Sequence, residues 1–198
     1  MNKTRLEAFS DGVFAIIITI MVLELKVPES PGWSSIRHLV PVFFSYLLSF
    51  IYVAVYWGNH HHLLHTVKRV NAGIIWGNMH LLFWLSMVPF ATAWMGENNF
   101  SRVPVALYAG LLLACGVAYS ILSGIISRSY KEETVLTHAL QKHKAKGYVS
   151  AALYAVAIPL SLYVNPIISA IIFVAVAILW IIPSKHIEQA LEEDHQHN

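Results

Sequence analysis

Charged residues divide the chain into long uncharged stretches. Leu39–Gly58 holds 20 residues, Asn71–Gly96 holds 26, Val103–Ser127 holds 25 and Gly147–Ser184 holds 38. A helix needs about 20 apolar residues to cross a bilayer, so the last stretch predicts two helices parted near Asn165-Pro166. A further apolar core, Gly12–Leu23, is only 12 residues long and is closed by Asp11 and Glu24. That is too short to face hydrocarbon all round, and it predicts a helix lying inside a bundle or beside water. The pattern gives an all-α protein of six spans at about 6–26, 37–64, 71–96, 103–128, 147–163 and 166–184. They form a single transmembrane domain with a short polar tail at 185–198.

Composition agrees. The chain is 57% apolar and 12% charged with a mean hydropathy of +0.57, whereas soluble domains carry roughly a quarter charged residues. Disorder is excluded by the same numbers. The net charge of +2 offers no basic patch for nucleic acid. Lys3 and Arg5 ahead of an apolar stretch imitate a secretory leader. Glu7 and Asp11 interrupt it and no small-residue cleavage site follows Leu23, so the first helix is expected to be retained. Cys115 is the only cysteine.

Six spans put Lys3, Arg5, Lys68, Arg69, Arg128, Lys131, Lys142, Lys144, Lys146 and Lys185 on one side. Lys26, Arg37 and Arg102 fall on the other, ten against three of the 13 Lys and Arg. The positive-inside rule makes the first side, with both termini, cytoplasmic, and the protein a multi-pass inner-membrane protein. The mixed-sign loop Lys131–Lys146 reads as a solvated or headgroup segment. The tail, with His195 and His197, reads as a solvated polar helix end.

On a helical wheel with Ile16 at zero, Ile20, Leu23, Gly12 and Thr19 all fall within about 60°, while Asp11 lies about 140° away. Such an aliphatic stripe serves packing inside a bundle. It would equally line a symmetric pore, where rings of Ile or Leu gate by dewetting and a ring of Thr hydroxyls replaces part of an ion's hydration.

Arg5-Leu6-Glu7-Ala8-Phe9-Ser10-Asp11 spells R-x-x-x-F-S-D at the opening of the first span and is followed by Gly12-Val13-Phe14-Ala15-Ile16-Ile17-Ile18-Thr19. This resembles the signature of the transmembrane protein 175 family of potassium-permeable channels, in its short prokaryotic form. Tyr56-Trp57-Gly58-Asn59-His60-His61-His62 and a third span with Arg69, Trp76, Asn78 and Pro89 extend the resemblance. It implies a homotetramer with a central pore lined by first helices. Ile16 then matches the constriction, Ile20 and Leu23 the next apolar rings, and Thr19 a polar layer linked to selectivity. Ala15 stands where some relatives carry Ser, so one hydroxyl contributor is missing. The motif occurs once, so four chains would close the pore.

Asp11 at a membrane helix's start needs a donor. Arg5, His60, His61, Trp76 and Asn78 are the same-side candidates, and the resemblance points to a network locking the first helix to spans two and three, with Phe9 and Ser10 in the motif. No T-V-G-Y-G filter is present, so carbonyl-lined sorting is not expected. Without a ligand domain or Arg-rich voltage sensor, conduction is expected to be leak-like, with potassium as permeant ion and no cofactor.

His61 and His65, at i and i+4, could share a metal, with His80 of the third span as a further contributor, but no carboxylate or Cys lies nearby in the segment, and hydrogen-bonded interfacial imidazoles are the simpler reading. A cation or proton carrier is the alternative, since Pro41, Pro89 and Pro159 can kink helices. It lacks charged groups at mid-span. An enzyme lacks any nucleophile–base set.

Overall fold

The structure, a computed structural model, describes residues 2–28, 30–128 and 134–181, with side chains throughout those ranges except at 34, 35, 38 and 134–144. The loop residues Lys131, Glu132 and Glu133, the side chains of Lys142 and Lys144, and the tail with Lys185, His195 and His197 lie outside the described residues. Every regular element among the described residues is helical: α1 (Lys3–Leu23), α2 (Trp33–His65), α3 (Ala72–Ser86), α4 (Val88–Glu97), α5 (Arg102–Arg128), α6 (Thr134–Pro159), a π-helical turn (Leu160–Val164) and α7 (Pro166–Ile181). Five stretches are long and apolar enough to cross a membrane, with α3 and α4 forming one of them, and α7 is a shorter apolar helix of 16 residues.

Local chemistry sets the ends. Asn2 caps α1 by accepting from the Arg5 amide at 3.0 Å, and Asn71 caps α3 by accepting from the Ile74 amide at 2.9 Å, each satisfying a first-turn N–H that has no partner within its helix. Pro166 opens α7, where its missing N–H costs nothing, and Asn165 accepts from the Ile167 amide at 2.9 Å.

Two stretches differ from the sequence expectation. The span at 71–96 is two helices parted at Met87. Pro89 has no amide hydrogen to offer the Leu85 carbonyl, so the helical ladder lapses there. The 128–147 stretch, expected as a loop, is helical from Thr134 onward. Hydropathy marks where a helix enters hydrocarbon, and good helix formers such as Leu136, Ala139, Leu140 and Lys142 carry the coil on beyond that point.

The helices pack with α1 on α2, α3 and α4, with α5 against α3, α4 and α6, and with α7 against α2, α5 and α6. Lipid is as apolar as leucine, so close fit rather than hydrophobic expulsion holds such a bundle together. Gly96 shows it: a Cβ there would stand 2.8 Å from the Val42 Cα and against the Ser45 hydroxyl, so α4 and α2 touch only because the position is glycine. Buried hydroxyls tie α2 to α4, α5 and α7. Thr92 Oγ1 donates to Ser49 Oγ at 2.7 Å, Ser49 and Tyr108 share a 2.8 Å bond, and Tyr52 donates to the Phe173 carbonyl at 2.7 Å. No water is at hand at these depths, so such groups must find protein partners.

Candidate functional site: the first helix and its anchors

α1 has two unlike faces. Leu6, Ser10, Phe14, Ile17 and Met21 are buried; their spacing places them on one side, against α2, α3 and α4. The opposite side carries the aliphatic stripe, and it is open: Ile16 is 57% exposed, Ile20 43% and Leu23 77%, with Gly12, Ala15 and Thr19 exposed as well. The protomer therefore leaves unpartnered the stripe that the wheel picked out. The Thr19 hydroxyl lies 2.9 Å from the Ile16 carbonyl and 3.1 Å from that of Ala15, donating back into its own helix. Its proton is committed inward, so Thr19 presents an acceptor oxygen on the open side.

Ser10 is the motif's buried member. Its hydroxyl donates to the Leu6 carbonyl at 2.8 Å and accepts from Asn78 Nδ2 at 3.0 Å, while Asn78 Oδ1 meets His60 Nε2 at 2.6 Å. The Asn78 amide nitrogen faces Ser10, so its oxygen faces the imidazole and Nε2 carries the proton. Phe14 packs on the His60 ring with centroids 5.4 Å apart. The chain His60–Asn78–Ser10–Leu6 joins α2 and α3 to α1.

Asp11 is served by a residue outside the five candidates: the Trp57 indole donates to its carboxylate at 2.9 Å. Of those five, His60 and Asn78 join the buried chain through Ser10 and not through Asp11. Arg5, Phe9 and Trp76 lie exposed, Trp76 at 74%, outside these bonds. His61 stacks on Trp57 with ring centroids 6.0 Å apart, and His65 follows at 6.3 Å from His61. Among the described residues no three His, Cys, Asp or Glu side chains gather as a metal site.

Two ties not foreseen from the sequence hold the ends of α1. Lys3 Nζ donates to the His65 carbonyl at 2.6 Å, and Lys26, just beyond the helix, pairs with Glu97 at 2.7 Å. The Glu97 hydrogen bond and charge hold the Lys26 ammonium above its ordinary pKa range. Each pair joins a span end to the nearest end of another span, a juxtaposition that the alternation of sides already contains.

Comparison with known proteins matches this plan. The sequence pattern of the family described as endosomal/lysosomal potassium channel TMEM175 fits residues 5–89, the stretch that holds Ser10, Asp11, Trp57, His60 and Asn78. A potassium channel of Chryseobacterium sp. (strain P1-3) is 50% identical over 194 residues, covering 98% of this chain and 100% of that one. The crystal structure of a lysosomal potassium-selective channel TMEM175 homolog from Chamaesiphon minutus superposes with a TM-score of 0.76 at 33% identity, covering 90% of this chain and 95% of that chain. The endosomal/lysosomal proton channel TMEM175 of Homo sapiens is 29% identical over 132 residues, which is 60% of this chain and 26% of the human one. This multi-pass, all-helical membrane protein belongs to the TMEM175 channel family, a family of channels and not of enzymes.

Proposed function

We propose that four copies of the chain assemble around their α1 helices into a potassium-permeable pore in the inner membrane, with both termini cytoplasmic and a leak-like conduction. Ile16, Ile20 and Leu23 form successive aliphatic rings along the axis, Ile16 being the narrow point, and Thr19 supplies a ring of acceptor oxygens between them. The observation that carries this reading is the open stripe. The buried face of α1 is spent on α2–α4 while its aliphatic stripe is left open, and an axis shared by identical subunits accounts for both. Rings of this kind exclude water when narrow, so conduction is set by how often they wet. Potassium is the permeant ion named for the Chryseobacterium relative, and the Thr19 oxygens suit a partly dehydrated monovalent cation.

The polar anchors hold the pore helix at fixed rotation. Ser10–Asn78–His60 fixes its buried face and Asp11–Trp57 its flank, so the stripe keeps its aim toward the axis. The test is reconstitution of the purified chain in liposomes carrying a potassium gradient, with native mass spectrometry of the same preparation. Tetramers with flux that grows without saturating support the pore. Saturating, slow flux would instead support the carrier, and monomers with no flux would end the proposal.

A further inference from the structure

On the far side of α2 the bundle leaves a second feature. A half-open cavity of about 240 Å³ lies between α2, α5, α6 and α7. Tyr52, Val55, Tyr56 and Asn59 form its α2 wall at i, i+3, i+4 and i+7, a face centred roughly 140° round from Trp57, His60 and His61. The cavity therefore faces away from α1, and among the described residues none of the main interfaces of α1 involves α6 or α7.

Six of the fifteen lining residues are aromatic: Tyr52, Tyr56, Tyr119, Tyr148, Tyr154 and Trp180. Four of their polar tips are committed to the protein. Tyr52 donates to the Phe173 carbonyl, Tyr154 to the Tyr52 hydroxyl, Tyr119 to the Asn59 carbonyl at 3.3 Å and Trp180 to Ser150 Oγ at 2.9 Å. No Asp, Glu, Lys, Arg or His lines the space. Beside the rings the lining holds Val55, Ala151, the polar side chains of Asn59, Ser120, Ser123 and Ser150, and bare backbone at Gly116, Gly124 and Gly147. An added Cβ would meet nothing within 4 Å at Gly124 or Gly147, and at Gly116 only the Tyr56 hydroxyl at 3.8 Å.

The volume equals the liquid share of about eight waters, yet walls this apolar hold water poorly. It suits a length of hydrocarbon chain and is too small for a peptide. The rim has a different character. Arg128 follows Gly124 by one helical turn on α5 and is exposed. Lys146 precedes Ser150 by one turn on α6, and its Nζ donates to the Leu179 carbonyl at 3.2 Å. Tyr148, a lining residue two positions after Lys146, is 75% exposed. Two positive charges at the entrance to an apolar slot match one ligand class, a negatively charged amphiphile with a long tail.

We propose that this cavity is an acyl-chain site for an anionic phospholipid of the adjoining leaflet, its tail among the tyrosines and its phosphate at Arg128 and Lys146. The occupant completes the packing of α2 from the side opposite the α1 anchors, so it steadies the helix on which those anchors depend.

The test uses the full chain in mild detergent, reading the thermal midpoint and lipids retained in native mass spectrometry after adding dioleoyl-phosphatidylglycerol, dioleoyl-phosphatidylcholine or oleate. Phosphatidylglycerol is expected to raise the midpoint and leave one lipid per protomer, at about tenfold lower concentration than phosphatidylcholine, the order expected of two basic side chains near an anionic headgroup. Gly124→Leu fills the slot and is expected to lose the retained lipid, and Gly147→Leu is a second filler should the first fail to fold. Arg128→Gln combined with Lys146→Gln is expected to keep chain binding and lose the preference for phosphatidylglycerol. Undiminished retention by the folded filler variants, or equal action of the two phospholipids on the wild type, overturns the site. Oleate acting as well as phosphatidylglycerol overturns the assignment to a phospholipid.

Discussion

The indole N–H of Trp57 donates to the carboxylate of Asp11 across 2.9 Å, joining α2 to the exposed flank of α1. A hydrogen bond to a charged group is worth about 1.5–3 kcal/mol, and this one ties α1 to α2 on a different side from the open stripe. Asp11→Ala is expected to lower the fraction of tetramer in native mass spectrometry while the surviving tetramers keep their conductance. Asp11→Asn, which keeps an acceptor oxygen, is expected to recover much of the yield. A normal tetramer yield with altered ion selectivity would place Asp11 on the ion path and not in the scaffold.

Asn78 is the middle link between Ser10 and His60, all three buried. Asn78→Leu strands a hydroxyl acceptor and an imidazole N–H together, at about 1–3 kcal/mol for each unsatisfied group. The thermal midpoint is expected to fall by roughly 5–10 °C, given about 2–4 °C per kcal/mol for a chain of this size. Ser10→Ala, which frees only the amide N–H, is expected to cost about half as much. A midpoint unchanged in Asn78→Leu would show that the chain of bonds adds nothing to holding α1.

Much of this was legible before the fold was known, and the limits have physical causes. The stripe Ile16, Thr19, Ile20, Leu23 is a matter of angle about one helix, which sequence gives directly, while its exposure in the protomer depends on how α1 docks. Which His of 60, 61 and 62 turns inward depends on the absolute rotation of α2, which spacing alone does not fix. The same uncertainty hid Trp57 behind the candidates weighed for Asp11. Ser10 was legible as a member of the motif network, and its short uncharged hydroxyl can be buried cheaply, whereas its bond to Asn78 depends on how α3 docks. The break at Met87 needed the consequence of Pro89 for the Leu85 carbonyl, and the early start of α6 needed helix propensity to be kept apart from hydropathy.

Close approach at Gly96 gives a packing test. Gly96→Ala sets a Cβ 2.8 Å from the Val42 Cα backbone atom, and overpacking of this kind costs about 1–3 kcal/mol. Gly110→Ala, in α5 with nothing within 4 Å of the new atom, is expected to be neutral or to stabilise by about 0.5–1 kcal/mol through helix propensity. Thermal midpoints moving in opposite directions support the fit between α2 and α4. A Gly96→Ala midpoint equal to wild type would contradict it.

Thr19 donates its proton inward and shows an oxygen outward. Thr19→Ala removes that oxygen, and the reversal potential under mixed potassium and sodium is expected to move toward equal permeability. Thr19→Val, of similar shape, is expected to move it likewise, which separates the oxygen from the bulk. An unmoved reversal potential in both variants would dismiss Thr19 as a selectivity group.

The central claim is that the open aliphatic stripe of α1 closes on a shared axis, with Ile16 at its narrowest ring. Single-channel recording from purified tetramers in planar bilayers, wild type against Ile16→Asn, tests it most directly. A polar ring wets more readily than an aliphatic one, so Ile16→Asn is expected to raise potassium conductance several-fold. A conductance identical to wild type would contradict the account, because a side chain that faces lipid, or is sealed within one protomer, has no means to narrow the path of an ion.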